Sequence, residues 1–553
     1  MILASPLAHS NSIKVHPTIR WAVWASVLAA LSCSRQRLQG GLSASGESAQ
    51  HTGVCYEVFV RSFADADGDG VGDLRGLTAH LDYINDGNSR STTDLGANCI
   101  WLMPIAKSVS YHGYDVTDYY HVDRRYGTDA DFRALVRAAH RRGIRVIVDF
   151  VPNHSSSENP WFQSALENPA SPYRSWYRWS PVNPNQPGPW GQVAWHKSPV
   201  RDEYYYGVFW EGMPDLNYQT PVVTQEMKKV TAYWLTKMGV DGFRFDAIPY
   251  LVEEGDQLKH TRGTHQVLHV LGDAIRREAP RSFTVGEMGD GSVDVLASYY
   301  PDQLDSYFAF DVAKGTIEAA RTGDGVTYER AVREASAKLP AGRWSPFLTN
   351  HDQPRTMTVL SDMAKARVAA SAMLVLPGVA FVYYGEEIGM VGPKPDEQIR
   401  TPMQWSSAAK AGFTTGTPWE TLQPDWTSKN VAAEDGDPAS LLNHYRKLIH
   451  LRNQHPALDA GDVALGNSTN PAIVGIVRHA PEETILAAVN FGDRTIDRVH
   501  IALAAALRGR LFRLETLYND PSSACRVMLV EDGAVTLGAV AAHSLCVFRV
   551  LDR

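Results

Sequence analysis

A group of carboxyl, imidazole and guanidinium side chains falls at the ends of short β-rich runs, where they could move protons and attack an electrophile. Asp149, Asn153 and His154 close or follow the run Ile144–Phe150. Arg244 and Asp246 lie in Val240–Asp246, Glu287 ends Ser282–Glu287, and His351 and Asp352 follow Ser345–Asn350. Arg244 and Asp246 are two residues apart, so strand alternation points both the same way. A guanidinium beside a carboxylate favours its charged form, which suits a nucleophile. Glu287, one run further on, supplies a second carboxyl across a small gap. Retaining glycosidases hold such a pair about 5–5.5 Å apart, a spacing that adjacent strands provide. Any one of these acids could equally belong to an ion pair closing a barrel. Acids, histidines and an arginine gathered at one rim favour a reaction centre.

The elements that must position them alternate. Val54–Val60, Asn98–Met103, Ile144–Phe150, Val240–Asp246, Ser282–Glu287, Leu304–Phe310, Ser345–Asn350 and Val379–Tyr383 read as strands, mostly separated by helical patterns. One helix is predicted to start at Thr128, with Asp131 three residues on, Phe132, Leu135, Val136 and Ala139 forming its apolar stripe, and Gly143 ending it. Another opens at Thr220-Pro221 and runs to Met238-Gly239. Eight strands in this rhythm predict an α/β fold, a (β/α)₈ TIM barrel. The rhythm breaks once: about 90 residues separate the third and fourth strands. Residues 152–216, rich in Pro, Trp, Tyr and Asn, are expected to form a small inserted domain over the site face. The barrel is expected over 51–151 and 217–465. From 466 to 553 the pattern turns to short strands (Ala472–Arg478, Thr484–Asn490, Asp497–Leu503, Leu511–Leu517, Ser544–Val550), predicting a C-terminal antiparallel β-sandwich.

Asp65, Asp67, Asp69 and Asp73 alternate with glycines around Val71. Such a loop can curl around a hard cation such as Ca²⁺, with these carboxylates and the Val71 carbonyl as ligands. It lacks the terminal Glu of an EF-hand, and a solvated acidic turn is the other reading. The 553-residue chain carries a net charge of −8 and no long basic run, which excludes a nucleic-acid footprint. The 44% hydrophobic content belongs to a globular protein with an ample core, and the 10% aromatic content fits either that core or a sugar site. No CxxC pair is present, which argues against zinc or redox sites. Cys55 and Cys99, inside apolar runs, read as small buried thiols; whether Cys525 and Cys546 pair stays open. Lys14 and Arg20 precede the apolar run Trp21–Leu31, too short to span a bilayer and fit for a signal peptide. Residues 1–50 then read as a leader and flexible tether, with export expected. Any membrane contact is through lipidation of Cys33, and a monomer is expected.

The strings DFVPNH (Asp149–His154), GFRFDA (Gly242–Ala247), VGEM (Val285–Met288) and FLTNHD (Phe347–Asp352) resemble the four ordered motifs of the α-amylase family of glycoside hydrolases. The resemblance runs from about Val54 to the C-terminus. It implies Asp246 as nucleophile, Glu287 as acid/base, and Asp352 as a third, transition-state-stabilising carboxylate. Arg244 would hold the nucleophile, and His154 and His351 would bind sugar hydroxyls. Tyr114 would stack on the sugar at the cleaved bond, with His112 and Asp115 beside it. An aspartate loop like Asp65–Asp73 binds Ca²⁺ in the oligo-1,6-glucosidase branch. MPDLN (Met213–Asn217) resembles the branch intermediate between oligo-1,6-glucosidases and neopullulanases, which includes bacterial α-amylases, some of them lipoproteins. An α-amylase on starch or maltooligosaccharides is therefore expected first. An α-glucosidase or neopullulanase-like enzyme comes second, a trehalose synthase third. Ala247 departs from the Val of α-1,6-specific members, and Met288 stands where trehalose synthases carry Asn. A non-catalytic sugar-binding or transporter-associated relative would have lost one of the three carboxylates, and all three are present.

Overall fold

Eight short parallel strands form the centre of the molecule: β1 (Val54–Val58), β2 (Cys99–Leu102), β3 (Arg145–Phe150), β4 (Gly242–Phe245), β5 (Phe283–Gly286), β6 (Ser306–Phe308), β7 (Trp344–Ser345) and β8 (Ala380–Tyr383). The computed structural model describes residues 53–289, 291–503, 512–531 and 533–552, so the run Trp21–Leu31 and Cys33 lie outside the described residues. Neighbours pair in chain order from β1 to β7, and β8 pairs with β1. The Phe381 amide donates to the Pro346 carbonyl at 2.8 Å across the remaining seam. The result is the expected TIM barrel.

Alternation explains its two layers. Val54, Tyr56 and Val58 of β1 face the helices, whereas Cys55 faces the lumen, where it packs with Cys99, Ile147, Phe283 and Phe381. The same parity turns Glu57, Asp149, Arg244 and, just past the strands, Asp246 and Glu287 inward above this apolar plug. Helix α1 (Asp129–His140) has the predicted box: the Thr128 hydroxyl accepts from the Asp131 amide, and the Asp131 carboxylate accepts from the Thr128 amide. Helix α2 (Pro221–Tyr233) continues through a π-helical turn, Trp234–Met238, and stops where Gly239 takes φ 82°. The seventh strand is shorter than predicted. Pro346 has no amide to donate, so pairing stops at Ser345 and Phe347–Asp352 runs on as irregular chain.

Two cysteine expectations are corrected here. Cys55 and Cys99 are not free thiols but a disulfide. They are direct register partners on β1 and β2, both facing the lumen. That register is invisible in the sequence, where the two lie 44 residues apart.

Residues 152–216 carry helix Pro160–Glu167 and a three-stranded antiparallel sheet (Trp179–Ser180, Tyr204–Tyr206, Trp195–Lys197). Ala194, Trp195, Tyr206 and Val208 share one small core with Ala247 and Tyr250, from the loop after β4. The insert is thus seated directly on the residue that follows Asp246.

The C-terminal region holds β9 (Asp462–Ser468), β10 (Ile473–Ala480), β11 (Glu483–Asn490), β12 (Val499–Ala502), β13 (Phe512–Asn519), β14 (Arg526–Glu531), β15 (Ala534–Gly538) and β16 (Ser544–Asp552), all antiparallel. Strand β9 pairs with β10 through its first half and β12 through its end, folding the sheet into two leaves around Leu486, Ile501, Leu537 and Phe548. Val474, Ile476, Ala487 and Val547, on the other face, join the core around the barrel. Strands β9, β14 and β15 are additional to the predicted ones; β14 is largely exposed and shows no apolar alternation. Cys525 and Cys546 are buried in the sandwich core and unpaired. Two buried arginines, Arg452 on the helix Leu441–Gln454 and Arg478 on β10, hold the turn that precedes β8. Arg452 donates to the carbonyls of Leu374, Leu376 and Gly378. Arg478 on β10 donates to those of Val375, Gly461 and Asp462. Residues 374–378 form the turn that leads into β8.

Candidate functional site

β4 and β5 run in register, Phe245 beside Gly286, so Asp246 and Glu287 leave the sheet at the same level. Arg244, one alternation below, holds both. Its Nη1 lies 2.7 Å from Asp246 Oδ1 and 2.8 Å from Asp149 Oδ1, and its Nη2 lies 3.3 Å from Glu287 Oε2. The expected Arg–Asp pair is present, and Asp149 shares it. Residue Ala247, in the left-handed region at φ 50°, turns its amide toward Glu287 Oε2 at 3.3 Å.

Burial pushes Asp246 and Glu287 above the ordinary carboxyl range, and Arg244 pulls both back. Each also raises or feels the charge of neighbouring carboxylates, so they titrate as a set. Asp246 is raised to about 8 on balance; within the pair, the closer approach of Arg244 to Asp246 than to Glu287 favours the anion on Asp246.

The opposite wall is cationic. Both ring nitrogens of His351 face acceptors: Nδ1 is 2.6 Å from Glu57 Oε1, and Nε2 is 3.1 Å from Asp352 Oδ2. Burial alone would lower His351, but Asp352 and Glu57 lift it to about 9. Asp352 is held far below the usual range, against burial, by His351, Arg400 and Arg244. Arg400 Nη2 reaches Asp352 at 2.8 Å and Asp396 at 3.1 Å. The Tyr114 hydroxyl donates to Asp149 Oδ2 at 3.1 Å and sits 2.6 Å from His351 Nε2, with the two rings stacked 5.7 Å apart.

The structure therefore brings Tyr114, Arg244, Asp246, Glu287, His351 and Asp352 into one bonded network. His154 is buried beside Phe209, its Nε2 without a hydrogen-bond partner, and burial lowers it to about 3, so it is a neutral donor or acceptor. His112 stacks on Tyr114, and its Nδ1 accepts from the Tyr114 amide, so it braces that ring. Asp115 is buried and spent on the Ser110 amide and hydroxyl, which pins the loop rather than facing the cleft. Glu57, Asp396 and Arg400 were not singled out from the sequence. Parity could have found Glu57, two residues after lumen-facing Cys55; Arg400 comes from a distant loop with no such signal.

In the aspartate loop, ligand oxygens of Asp65, Asp67 and Asp73 come within 4.8 Å of one another. Asp69 stands outside that trio and accepts from the Val71 amide at 2.7 Å. Asp65 is held down by the Thr414 hydroxyl and the amides of Gly68 and Gly70, outweighing burial. For Asp67 the Asp69 amide works downward, yet burial and the charges of Asp69, Asp73 and Asp65 together raise it.

The model of the α-amylase catalytic domain matches residues 57–461. The chain belongs to the α-amylase family of glycoside hydrolases. It is 38% identical to alpha-amylase 3 of Dictyoglomus thermophilum over 79% of this chain and 84% of that protein. It is 32% identical to the oligo-1,6-glucosidase of Parageobacillus thermoglucosidasius, over 80% and 90%. The crystal structure of an α-amylase from H. orenii superposes with a TM-score of 0.80 at 37% identity, covering 90% of this chain and 99% of that one. The matched residues include the whole carboxyl network described above.

Proposed function

We propose that this enzyme is an α-amylase: a retaining hydrolase of α-1,4-glucosidic bonds in starch or maltooligosaccharides. The observation that carries the chemistry is the pairing of Asp246 and Glu287 on one guanidinium at the ends of adjacent strands. Glu287 gives its proton to the glycosidic oxygen while Asp246 attacks the anomeric carbon, forming a β-glycosyl ester and freeing the leaving chain. The Glu287 carboxylate then takes a proton from water, whose oxygen displaces Asp246 and restores the α configuration. Asp352, ionised and held by Arg400 and His351, faces the charge that develops on the ring.

The α-1,4 specificity draws support from the two relatives named α-amylase, at 38% and 37% identity. A time course on soluble starch, maltotriose, isomaltose and trehalose tests it, with Glu287→Gln as control. Mixed maltooligosaccharides released early from starch support the reading. Glucose from short substrates with starch untouched would replace it with an α-glucosidase.

We also propose that Asp65, Asp67 and Asp73 hold a structural Ca²⁺. Their oxygen donors suit a hard cation, and the mutual repulsion that raises Asp67 is what a bound cation would relieve.

A further inference from the structure

Trp190 is 52% exposed, yet the turn that carries it is fixed. Its amide donates to Gln192 Oε1 at 2.9 Å, the Gly188 amide to the Gln192 carbonyl at 2.8 Å, and Gln192 Nε2 to the Val208 carbonyl at 2.7 Å. The indole is also the outer end of a ridge of rings. It packs on Phe209 at 5.7 Å and edge-on to Tyr250 at 5.1 Å, and Phe209 packs on His154 at 5.1 Å. The ridge therefore climbs without a break from the buried imidazole of the reaction site to a half-bare indole at the surface.

Its side of the cleft follows from the acid. Glu287 protonates the leaving-group oxygen, and its carboxyl faces the Ala247 amide. Ala247 and Tyr250 share the core of the insert that presents Trp190. By the family resemblance the sugar at the cleaved bond would rest against the other wall, on Tyr114, His351 and Asp352, with His154 at the foot of the ridge marking where the two sides meet. Flat apolar faces of glucose rings pack on aromatic rings, and a ring already locked in place loses no entropy on binding.

We propose that Trp190, backed by Phe209 and Tyr250, is the stacking platform for glucose units on the leaving-group side, and that it sets the preference for α-glucan chains over short glucosides. This rests on the hydrolase reading above and adds the determinant of chain length to it. Two substrates separate the proposal from a general defect: maltohexaose, and α-maltotriosyl fluoride, whose leaving group is an ion with nothing to stack.

Trp190→Ala is expected to lower kcat/KM on maltohexaose about tenfold, mostly through KM, and to leave the fluoride within about twofold of the parent. Trp190→Phe should restore most of the loss, with an unchanged melting temperature in both variants. Equal losses on the two substrates, or none on either, would overturn the assignment. A parent protein that turns over neither would instead bring down the hydrolase reading itself.

Discussion

The molecule gathers carboxylates in two places, and it treats them differently. At the barrel rim, Asp149, Asp246, Glu287 and Asp352 are packed around resident cations, Arg244, Arg400 and the imidazolium of His351. In the loop after β1, Asp65, Asp67 and Asp73 converge with backbone amides and hydroxyls and no guanidinium among their hydrogen-bond partners. A cluster that carries its own cations can hold one carboxyl ionised and its neighbour protonated, which is what acid–base work needs. A cluster without them has unspent negative charge that an added ion can satisfy. On the proposals above, the first does the chemistry and the second serves stability.

That division can be broken most sharply at Asp246. Asp246→Asn keeps the shape and removes the nucleophile, so kcat on starch should fall at least about 10⁴-fold with an unchanged unfolding midpoint. Arg244→Leu should show the cost of removing the shared cation. It leaves buried Asp149 and Asp246 unpaired, with an expected loss of about 3–5 kcal/mol by urea unfolding alongside the loss of activity. Chelation should do the reverse of Asp246→Asn: the melting temperature drops by about 2–5 °C, is restored by Ca²⁺, and initial rates below the melt stay level. In Asp67→Ala that response should vanish. A chelator that abolished activity without moving the melt would defeat the division.

The smallest effect concerns His351. Its folded value, about 9, lies above the ordinary 6.5 of a histidine. Its charged contacts therefore stabilise fully below about pH 6.5 and fade as the pH climbs toward 9. Glu57→Gln removes one of the two anions responsible and should move that alkaline decline to lower pH, read by melting scans across the range.

Much of the barrel and its rim was legible from period and punctuation. Two-residue alternation placed Arg244 with Asp246, and the Thr128–Asp131 box and Gly239 marked helix ends where they occur. What escaped depended on partners far away in the chain. The Cys55–Cys99 bond needs the β1–β2 register, and Arg400 reaches Asp352 from a loop 48 residues on. Asp115 carries the right side chain next to the right tyrosine, yet Ser110 has already claimed it. Strand β14 shows why some elements are silent: with most of its residues in solvent, pairing rather than burial defines it.

The arginine anchors at 452 and 478 bear on the order in which the molecule can be made. The turn they grip, residues 374–378, aims β8, the strand that closes the barrel against β1. During synthesis every barrel strand leaves the ribosome before Arg478 does. The carboxyl network spans that closing strand, with Glu57 on β1 bonded to His351 from the chain after β7. A chain cut short after the barrel would keep the grip of Arg452 on that turn and lose that of Arg478, so the last domain supplies one of two clasps behind the closing strand.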